Sequence, residues 1–383
     1  MRSVIIGGGV GGCAMAAALR GSAVGREVAI LERRAVGAAG GMGFILMPNG
    51  VDALERIAPE IAWRSSGRTI DRVALRAACG RELSSHAIDP ALCVSRERFL
   101  GLLRQAAGGA RFIEGATVTG LTHRAEAGAG ERGSGDGPDL AADTFTSVTY
   151  TGDRGVEQLG GDAFFGCDGA ASRTRALVFP EAQLAEVVVK EIVSVAHAPA
   201  LAKRLGSTFH KFHDEEGGLA VGVLAESDER VVWFTQFDSR RWPGVAATAA
   251  GMAGFVVERL AGWSDEVAEA CAATDFGRSH LWPTRDLPPM ASLVRGNLAL
   301  VGDAAHACLP FTSQGANGAL ADAALLQELL AEVRDPRALR TALERYSAVR
   351  RPHHRRMFME GRRLREAFLA PMRHGAPVVP LVD

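Results

Sequence analysis

The pattern of apolar and polar positions begins with two short apolar runs, and a glycine-rich segment lies between them. Residues 3–6 and 27–32 have the length and composition of buried strands, and the segment CAMAAALR between them favours a helix. Glycines dominate residues 7–12, directly after the first run. We therefore predict a βαβ unit at the start of the chain, with a glycine-rich first turn.

The next part of the chain predicts short strands around one helix. Residues 72–77 and 81–87 are predicted strands. The following segment, 95–107, is a predicted helix with Ser95 as its N-cap. The segments 116–122, 144–151 and 156–165 are predicted strands of a meander. The glycine-rich polar segment 124–142 is predicted to be a flexible hairpin loop.

Residues 181–275 show a different, sheet-rich pattern. The segments 219–225 and 230–238 predict a hairpin. In its second strand Trp233 and Phe237 share one face, while Phe234 and Gln236 share the other. A helix is predicted at 247–260 within the same segment. The chain then returns to a strand, a loop and helices, with a buried strand at 298–301 and helices at 316–330 and 336–359. This order predicts an α/β domain that is interrupted by a second domain.

Length and charge limit the classes of protein. The chain has 383 residues, of which 47% are hydrophobic, and ~150 residues per domain indicates two or three lobes. The net charge of −1 predicts neither a nucleic-acid partner nor an anionic membrane surface. Six cysteines without a CxxC spacing predict reduced thiols, a cytoplasmic location and no metal. We expect no membrane span, because no run of ~18 apolar residues occurs, and no signal peptide.

The first motif that carries chemistry is Gly7-x-Gly9-x-x-Gly12, between the first strand and the first helix. Gly7 permits a tight turn, Gly9 lets a pyrophosphate approach the backbone, and Gly12 lets helix and strand pack closely. Glu32 ends the second strand, where an acid accepts the ribose hydroxyls of a dinucleotide. An acid here disfavours a 2′-phosphate, so the motif predicts FAD or NAD rather than NADP.

The stretch VGDAAHACLPFTSQGANGALADA, residues 301–323, gathers an acid, a base and two nucleophile types in Asp303, His306, Cys308 and Ser313. Such a set suggests either a hydrolytic site or a ligand-binding segment. Cys308 has apolar neighbours, and no oxyanion-stabilising group accompanies it. We therefore interpret His306 and Cys308, like Cys167, as packed residues and expect the stretch to bind a ligand.

Three ordered motifs resemble those of the group A FAD-dependent monooxygenases, the para-hydroxybenzoate hydroxylase-like flavoproteins. They are the GxGxxG motif, the DG pair in GCDGAASRTR at 166–175, and the GD pair at 302–303. Arg96, the segment GFILMPNGVDAL at 43–54, and Tyr346 with the Arg-Arg-Pro of 350–352 add to the resemblance.

The resemblance implies a Rossmann-like FAD-binding domain interrupted by a mixed-sheet substrate domain, with C-terminal helices. Residues 1–71, 95–180 and 278–383 would form the FAD-binding domain and those helices. Residues 72–94 and 181–277 would form the substrate domain.

The resemblance also implies where FAD binds. Asp303 would accept hydrogen bonds from the ribityl hydroxyls, and backbone N–H groups at the start of a helix at 314–317 would face the pyrimidine edge. Pro310 would border the ring, and no catalytic side chain is predicted because the flavin carries the chemistry. The implied FAD-binding set is Gly7, Gly9, Val10, Gly11, Gly12, Glu32, Arg33, Arg96, Val118, Asp168, Gly302, Asp303, Pro310, Gly315, Ala316 and Asn317.

The implied reaction uses NADH or NADPH as a transient reductant and O2 as co-substrate. A flavin C4a-hydroperoxide would then hydroxylate or epoxidise an aromatic or polycyclic small molecule. A flavin reductase or oxidase, a halogenase of the same fold, and a flavin-binding module without turnover stay open as alternatives. Monomer and homodimer are both open.

The substrate is expected to bind between the flavin and the inserted sheet. No charged cluster stands out in the inserted strands, which favours an apolar aromatic or polycyclic substrate over a small acid. The candidate lining residues are Phe44, Leu46, His210, Phe212, Trp233 and Gln236.

Overall fold

Three sheets organise the chain in the computed structural model, which describes residues 1–35, 42–124 and 144–372. The strands are β1 (Arg2–Ile6), β2 (Glu27–Glu32), β3 (Gly43–Leu46), β4 (Arg68–Ala77), β5 (Glu82–Ser95), β6 (Arg111–Glu114), β7 (Thr117–His123), β8 (Phe145–Gly152), β9 (Gly155–Gly160), β10 (Ala163–Gly166), β11 (Val189–His197), β12 (Thr208–His213), β13 (Leu219–Ala225), β14 (Arg230–Asp238), β15 (His280–Pro283), β16 (Val294–Arg295) and β17 (Leu298–Leu300).

The helices alternate with these strands in the α/β manner that the sequence predicts. They are α1 (Val10–Ala18), α2 (Pro48–Ile57), α3 (Arg96–Ala106), α4 (Arg173–Val178), α5 (Pro199–Leu205), α6 (Ala249–Arg259), α7 (Asp265–Ala272), α8 (Asp303–His306), α9 (Gln314–Leu330) and α10 (Pro336–Leu369). Single 3-10 turns occur at Trp63–Ser65, Phe276–Arg278 and Pro310–Thr312. No helix in the described ranges is both long enough and apolar enough to span a membrane.

A six-stranded sheet contains the predicted βαβ unit. Its order is β16-β17-β10-β1-β2-β6, and all neighbours pair in parallel except β16 with β17. Helix α1 packs against α9 and α3 on this sheet. The carboxyl ends of β1, β10 and β17 meet at one edge, so the loops after them come together there.

Two element predictions are corrected by the structure. The predicted strand 156–165 is two strands, because the chain turns at Gly161: β9 pairs with β8 in the three-stranded sheet, whereas β10 pairs with β1. The predicted strand 81–87 continues to residue 95 as β5. The N-cap of α3 is confirmed, since the Ser95 hydroxyl accepts from the Arg98 N–H. The predicted loop 124–142 lies outside the described residues except for Arg124.

An eight-stranded sheet, ordered β15-β11-β14-β13-β12-β4-β5-β3, has two faces with different neighbours. One face packs against α5, α6 and α7, and we call it the back face; it includes Ile192, Phe212, Val221, Trp233 and Phe237. Successive side chains of a strand point to opposite faces. The alternate residues therefore form the front face, which includes Glu191, Val193, Phe209, Lys211, His213, Leu224, Val232, Phe234 and Gln236.

The front face is covered at one end by the loop that follows α8. Phe311 is 2% exposed and packs with Ala220 of β13. Its ring centroid also lies 5.4 Å from that of Phe368 in α10. Phe311 therefore anchors the loop that contains Pro310 between the inserted sheet and the last helix.

Candidate FAD-binding and substrate site

The glycine-rich turn after β1 is as close-packed as the motif predicts. A Cβ atom on Gly12 would stand 1.8 Å from the Gly7 carbonyl oxygen, so only glycine lets α1 approach β1 this closely. Gly7 has a φ of +104°, and a Cβ there would lie 2.4 Å from the carbonyl oxygen of Cys167. A Cβ on Gly9 would meet nothing within 4 Å, which leaves open space at the start of α1. Val10 and Gly11 form the first turn of that helix.

Glu32 lies beside this turn at the end of β2. Its Oε2 accepts a hydrogen bond from the Gly8 N–H at 2.6 Å, and its Oε1 accepts from the Arg34 N–H at 2.9 Å. Arg33, between Glu32 and Arg34, is exposed. The carboxylate is therefore fixed at the glycine-rich turn, where the sequence predicts a ribose-binding acid.

The Asp168 carboxylate caps the start of α4. Its Oδ2 accepts from the Thr174 N–H at 2.9 Å and its Oδ1 accepts from the Ser172 hydroxyl. Arg175, in the same motif, donates from Nη1 to the Ala304 carbonyl oxygen at 3.0 Å. The arginine thus joins the loop after β10 to α8, which follows β17.

Asp303 begins α8 at the edge where these loops meet. Burial raises the pKa of its carboxyl, and the nearby charges of His306, Arg96 and Arg175 partly offset that effect. Within the described residues its carboxylate accepts no hydrogen bond. An acceptor of this kind, flanked by arginines, suits the hydroxyls and phosphates of a dinucleotide.

The start of α9 faces the same edge. A Cβ on Gly315 would lie 3.6 Å from Asp303 Oδ1, so the two segments converge. The Asn317 side chain is fully buried; its Oδ1 accepts from the Met47 N–H at 3.0 Å, and its Nδ2 donates to the Ile45 carbonyl at 3.0 Å. Asn317 therefore fixes the helix start, including Ala316, against β3 and α2.

A buried carboxylate supports this whole arrangement from below. Asp322 is 0% exposed, and its Oδ2 accepts from the Gly302 N–H at 2.8 Å and lies 2.7 Å from His306 Nε2. Its Oδ1 accepts from Arg350 Nε at 2.6 Å. Burial would raise the pKa of Asp322, but His306 and Arg350 together hold it well below its usual range. We call Asp322, Gly302, His306 and Arg350 the Asp322 cluster.

The cysteines near this edge are unsuited to nucleophilic catalysis. Burial raises the pKa of Cys308 to about 12 and that of Cys167 well above its ordinary value. Neutral thiols are poor nucleophiles. His306 faces the Asp322 carboxylate rather than a thiol. The geometry therefore agrees with the packed roles expected for both cysteines.

The structure separates the residues proposed from sequence to line a substrate pocket. Gln236 lies on the front face, 2% exposed. His210, Phe212 and Trp233 point to the back face; His210 Nδ1 lies 2.6 Å from Glu266 Oε2 of α7, and Trp233 Nε1 donates to Thr274 at 2.7 Å. Strand alternation is the reason. His210 and Phe212 are next to Lys211 in β12, and Trp233 is three positions from Gln236 in β14, so their side chains point away from the front face.

The remaining two candidates, Phe44 and Leu46, pack in the hydrophobic core formed by α1, α2, α3 and α9. Phe44 makes an edge-to-face contact with Phe99 of α3 at 5.2 Å, and Leu46 is fully buried in the same cluster. Their neighbour Ile45 faces the inserted sheet instead. Val118 of β7 is 5% exposed in the core beside the parallel sheet.

The front face carries buried charges that the sequence analysis did not expect. Glu191 is 9% exposed and accepts from Gln236 Nε2 at 2.6 Å, and Lys211 is 2% exposed. Burial raises the pKa of Glu191 to about 7 and lowers that of Lys211 to about 8; the attraction between the two only partly offsets it. The expectation that the inserted strands hold no charged cluster is therefore wrong.

With this geometry in place, the family can be stated. Residues 1–360 match the family model described as an FAD binding domain, and the chain belongs to that family. More narrowly, it is a para-hydroxybenzoate hydroxylase-like group A FAD-dependent monooxygenase.

Two relatives are similar to this chain over nearly its whole length, and a third is similar over a shorter part. An FAD-dependent urate hydroxylase of Klebsiella oxytoca is 27% identical over 95% of this chain and 89% of its own length. An aurachin C monooxygenase/isomerase of Stigmatella aurantiaca is 24% identical over 91% of this chain and 84% of its own. A salicylate hydroxylase of Pseudomonas putida is 40% identical, but over only 26% of this chain and 22% of its own.

Solved structures share the fold. Klebsiella pneumoniae HpxO, complexed with FAD and uric acid, superposes with a TM-score of 0.79 at 23% identity, over 96% of this chain and 89% of that one. Pseudomonas aeruginosa PqsL, in complex with 2-aminobenzoylacetate, superposes with a TM-score of 0.77 at 21% identity, over 96% of both chains.

The residues at the loop edge fit FAD, which is the cofactor of this protein. The open space at Gly9 fits a pyrophosphate, and the Asp303 carboxylate, which accepts no hydrogen bond from the residues that the structure describes, fits hydroxyl donors. Asp322, Arg175, Glu191 and Lys211 were missed as site residues by sequence reasoning. The signal for Lys211 was available, because the strand TFHKFH has polar residues in both of its alternating phases.

We expect Asp322→Asn to weaken FAD retention and to lower the free energy of unfolding by about 3–5 kcal/mol. The change leaves Arg350 as a buried cation without its carboxylate and loosens the Gly302 turn. FAD per folded protein is measured by absorbance after gel filtration, and stability is measured by urea unfolding.

Asp286→Asn is the matched control for Asp322→Asn. Asp286 is also buried, at 1% exposed, and pairs with Arg362 of α10 at 2.8 Å. It should lose stability without losing FAD. Equal FAD retention in the two variants would contradict the role given to the Asp322 cluster.

We expect Glu191→Gln to stabilise the protein at about pH 8 by about 1–3 kcal/mol, and much less at about pH 5. The pKa of Glu191 is about 7 in the folded protein, whereas its ordinary value, which we take for the unfolded chain, is 4.5. Between these two pH values the folded protein binds a proton on Glu191 that the unfolded chain does not. Stability is therefore lost as the pH rises through this window. Gln236 and Lys211 are the described groups that face Glu191.

Urea unfolding of wild type and Glu191→Gln across this pH range checks the effect. Exposed Glu229→Gln is the control. A stability difference between Glu191→Gln and wild type that does not change with pH, or that equals the difference for Glu229→Gln, would count against the prediction.

Proposed function

We propose that this monooxygenase uses NADH or NADPH and O2 to hydroxylate or epoxidise an aromatic or polycyclic small molecule. The observation that carries the proposal is the convergence of three loop ends, after β1, β10 and β17, beside the sheet face opposite to helices α5, α6 and α7. One edge can hold the cofactor, and the adjacent face can hold a substrate against it. The relatives' aromatic substrates, urate and salicylate, support the substrate class by analogy.

We propose that FAD lies along this edge, from the glycine-rich turn to the start of α9. Glu32 would bind the ribose of its adenosine half, and the start of α1 its pyrophosphate. Arg96 would approach the phosphates, since the charge of Asp303 acts on it across the edge. Asp168 would act by holding α4 in place, because both of its oxygens are already used within the loop.

The flavin end would face Pro310 and the start of α9. Backbone N–H groups at residues 314–317 would stabilise negative charge on the pyrimidine edge. When bound and reduced, FAD supplies the activation of O2; NAD(P)H, a proton, O2 and the substrate become NAD(P)⁺, water and the oxygenated product. The protein's own part is to bind, to orient and to exclude water. Phe311 contributes to that exclusion by sealing one end of the front face.

We propose the front face, rather than the back face, as the substrate surface. Phe234 and Val193 are only half-buried there, whereas the back-face side chains are packed beneath helices. Ile45 adds an apolar wall from β3. This placement revises the sequence-based lining set, of which Gln236 stays.

The assay for this function uses the purified FAD-bound protein with NADH, NADPH and a panel of aromatic compounds. We expect at least one compound to stimulate NAD(P)H and O2 consumption and to gain one oxygen atom from isotope-labelled O2. Hydrogen peroxide formation without an oxygenated product would favour an oxidase. Bound FAD that neither NADH nor NADPH reduces under anaerobic conditions would refute the proposal.

We expect Asp303→Asn to weaken FAD binding about tenfold or more, because one of the two oxygen acceptors for the ribityl hydroxyls is replaced by a donor. The measurement is fluorescence quenching of FAD on return to the deflavinated protein. Asp52→Asn, on the exposed side of α2, is the control and should bind FAD as wild type does. An unchanged affinity in Asp303→Asn would sink the placement of this residue.

A further inference from the structure

The one described lysine that is fully buried lies on the proposed substrate surface. The chain has three lysines, Lys190, Lys203 and Lys211. Lys211, in the middle of β12, is 2% exposed, and its Nζ lies 5.7 Å from the ring centroid of Phe311. Phe311 is next in sequence to Pro310. The ammonium therefore lies where the inserted sheet meets the proposed flavin loop.

This ammonium has no anionic partner in the described part of the chain. It makes no ion pair within 4.0 Å and donates no hydrogen bond there. Glu191 is the acid whose charge acts on it, but the Glu191 carboxylate takes its hydrogen bond from Gln236. A buried cation without a partner is costly, and such residues usually serve a function.

The neighbours of Lys211 on the front face are apolar or glycine. Its strand neighbours on the front face are Leu75 of β4 and Gly222 of β13. Gly222 leaves room for the Phe234 ring, because a Cβ there would lie 2.3 Å from that ring. An apolar floor thus begins beside the ammonium and continues toward half-buried Val193.

A second buried polar atom marks the same face. Gln236 Oε1 is buried and has no hydrogen-bond donor within the described residues. Lys211 supplies a donor and Gln236 an acceptor near Phe311, and the apolar Phe234 and Val193 lie beside them. Such an arrangement orients a ligand that is itself polar at one end.

We propose that Lys211 binds an anionic oxygen of the substrate, so that the substrate is an aromatic acid or an ionised phenol rather than a neutral hydrocarbon. The proposal rests on the proposed function, since it assigns a substrate class to the same surface. The ammonium would supply a charge-assisted hydrogen bond, and Phe234 and Val193 would contact the ring. This class differs from the apolar substrate that the sequence favours.

The test measures binding by changes in the flavin absorbance of the FAD-bound protein, without NAD(P)H. The probes are benzoate and 2-hydroxybenzoate, each compared with its neutral carboxamide. We expect wild type to bind the acids about 10- to 100-fold more tightly than the amides. Lys211→Met should abolish this preference while leaving amide binding unchanged, and Lys211→Arg should retain part of it.

The matched control is Lys203→Met, because Lys203 is exposed on α5, behind the back face. It should keep the full preference for the acids. The proposal is overturned if wild type shows no preference, if Lys211→Met keeps it, or if neither acid perturbs the flavin at about 10 mM.

A second readout separates ligand binding from a structural role. Without ligand, Lys211→Met should be at least as stable to urea as wild type, because the substitution removes an unpartnered buried charge. A marked loss of stability relative to Lys203→Met would show that the ammonium supports the fold, and would overturn the proposal.

These binding measurements need neither turnover nor oxygen. If the acids bind through Lys211 but are never oxygenated, the proposed function fails and the ligand class stands. If neutral aromatics are oxygenated and the acids bind no better than their amides, the proposed function stands and the role of Lys211 fails.

Discussion

The carboxylate of Asp322 is the interaction on which the cofactor edge depends. It lies in α9, yet it holds the Gly302 N–H at the end of β17, the His306 ring in α8 and the Arg350 guanidinium in α10. Three stretches of the chain, around residues 302–306, 322 and 350, are thereby fixed around one buried charge. Because a buried anion is tolerated only when it is fully paired, each partner is needed for the others to stay in place. Asp303 owes its position to this arrangement, since it directly follows Gly302.

A second constraint couples the cofactor edge to the inserted sheet. Phe311 is buried between Ala220 of β13 and Phe368 of α10, while its neighbour Pro310 stays at the edge. The loop is thus packed against the sheet on one side and against α10 on the other, and it contains the single 3-10 turn Pro310–Thr312. The front face and the loop that contains Pro310 are therefore held at a fixed separation by apolar packing.

The sequence predicts most of the fold and of the cofactor edge, because both depend on local signals. The glycines at 7, 9 and 12 and the acid at 32 occupy the positions that their spacing predicts. The split of β9 from β10 could not be predicted, since both runs are apolar and only pairing with β1 separates them. Local patterns predict that Trp233 and Gln236 lie on opposite faces, and the strand pairing agrees. They do not show which face the helices α5, α6 and α7 cover, so both residues were named as lining candidates.

The two faces of that sheet show how stability and function divide between alternate residues. On the back face, Trp233 is paired with Thr274 and His210 with Glu266. On the front face, Gln236 Oε1 is buried without a hydrogen-bond partner among the described residues, and the ammonium of buried Lys211 lies over the Phe311 ring. A sequence selected for stability alone would replace such groups with apolar ones of similar volume. The buried ammonium of Lys211, together with the adjacent half-buried Phe234, is the reason to propose the front face as the binding surface.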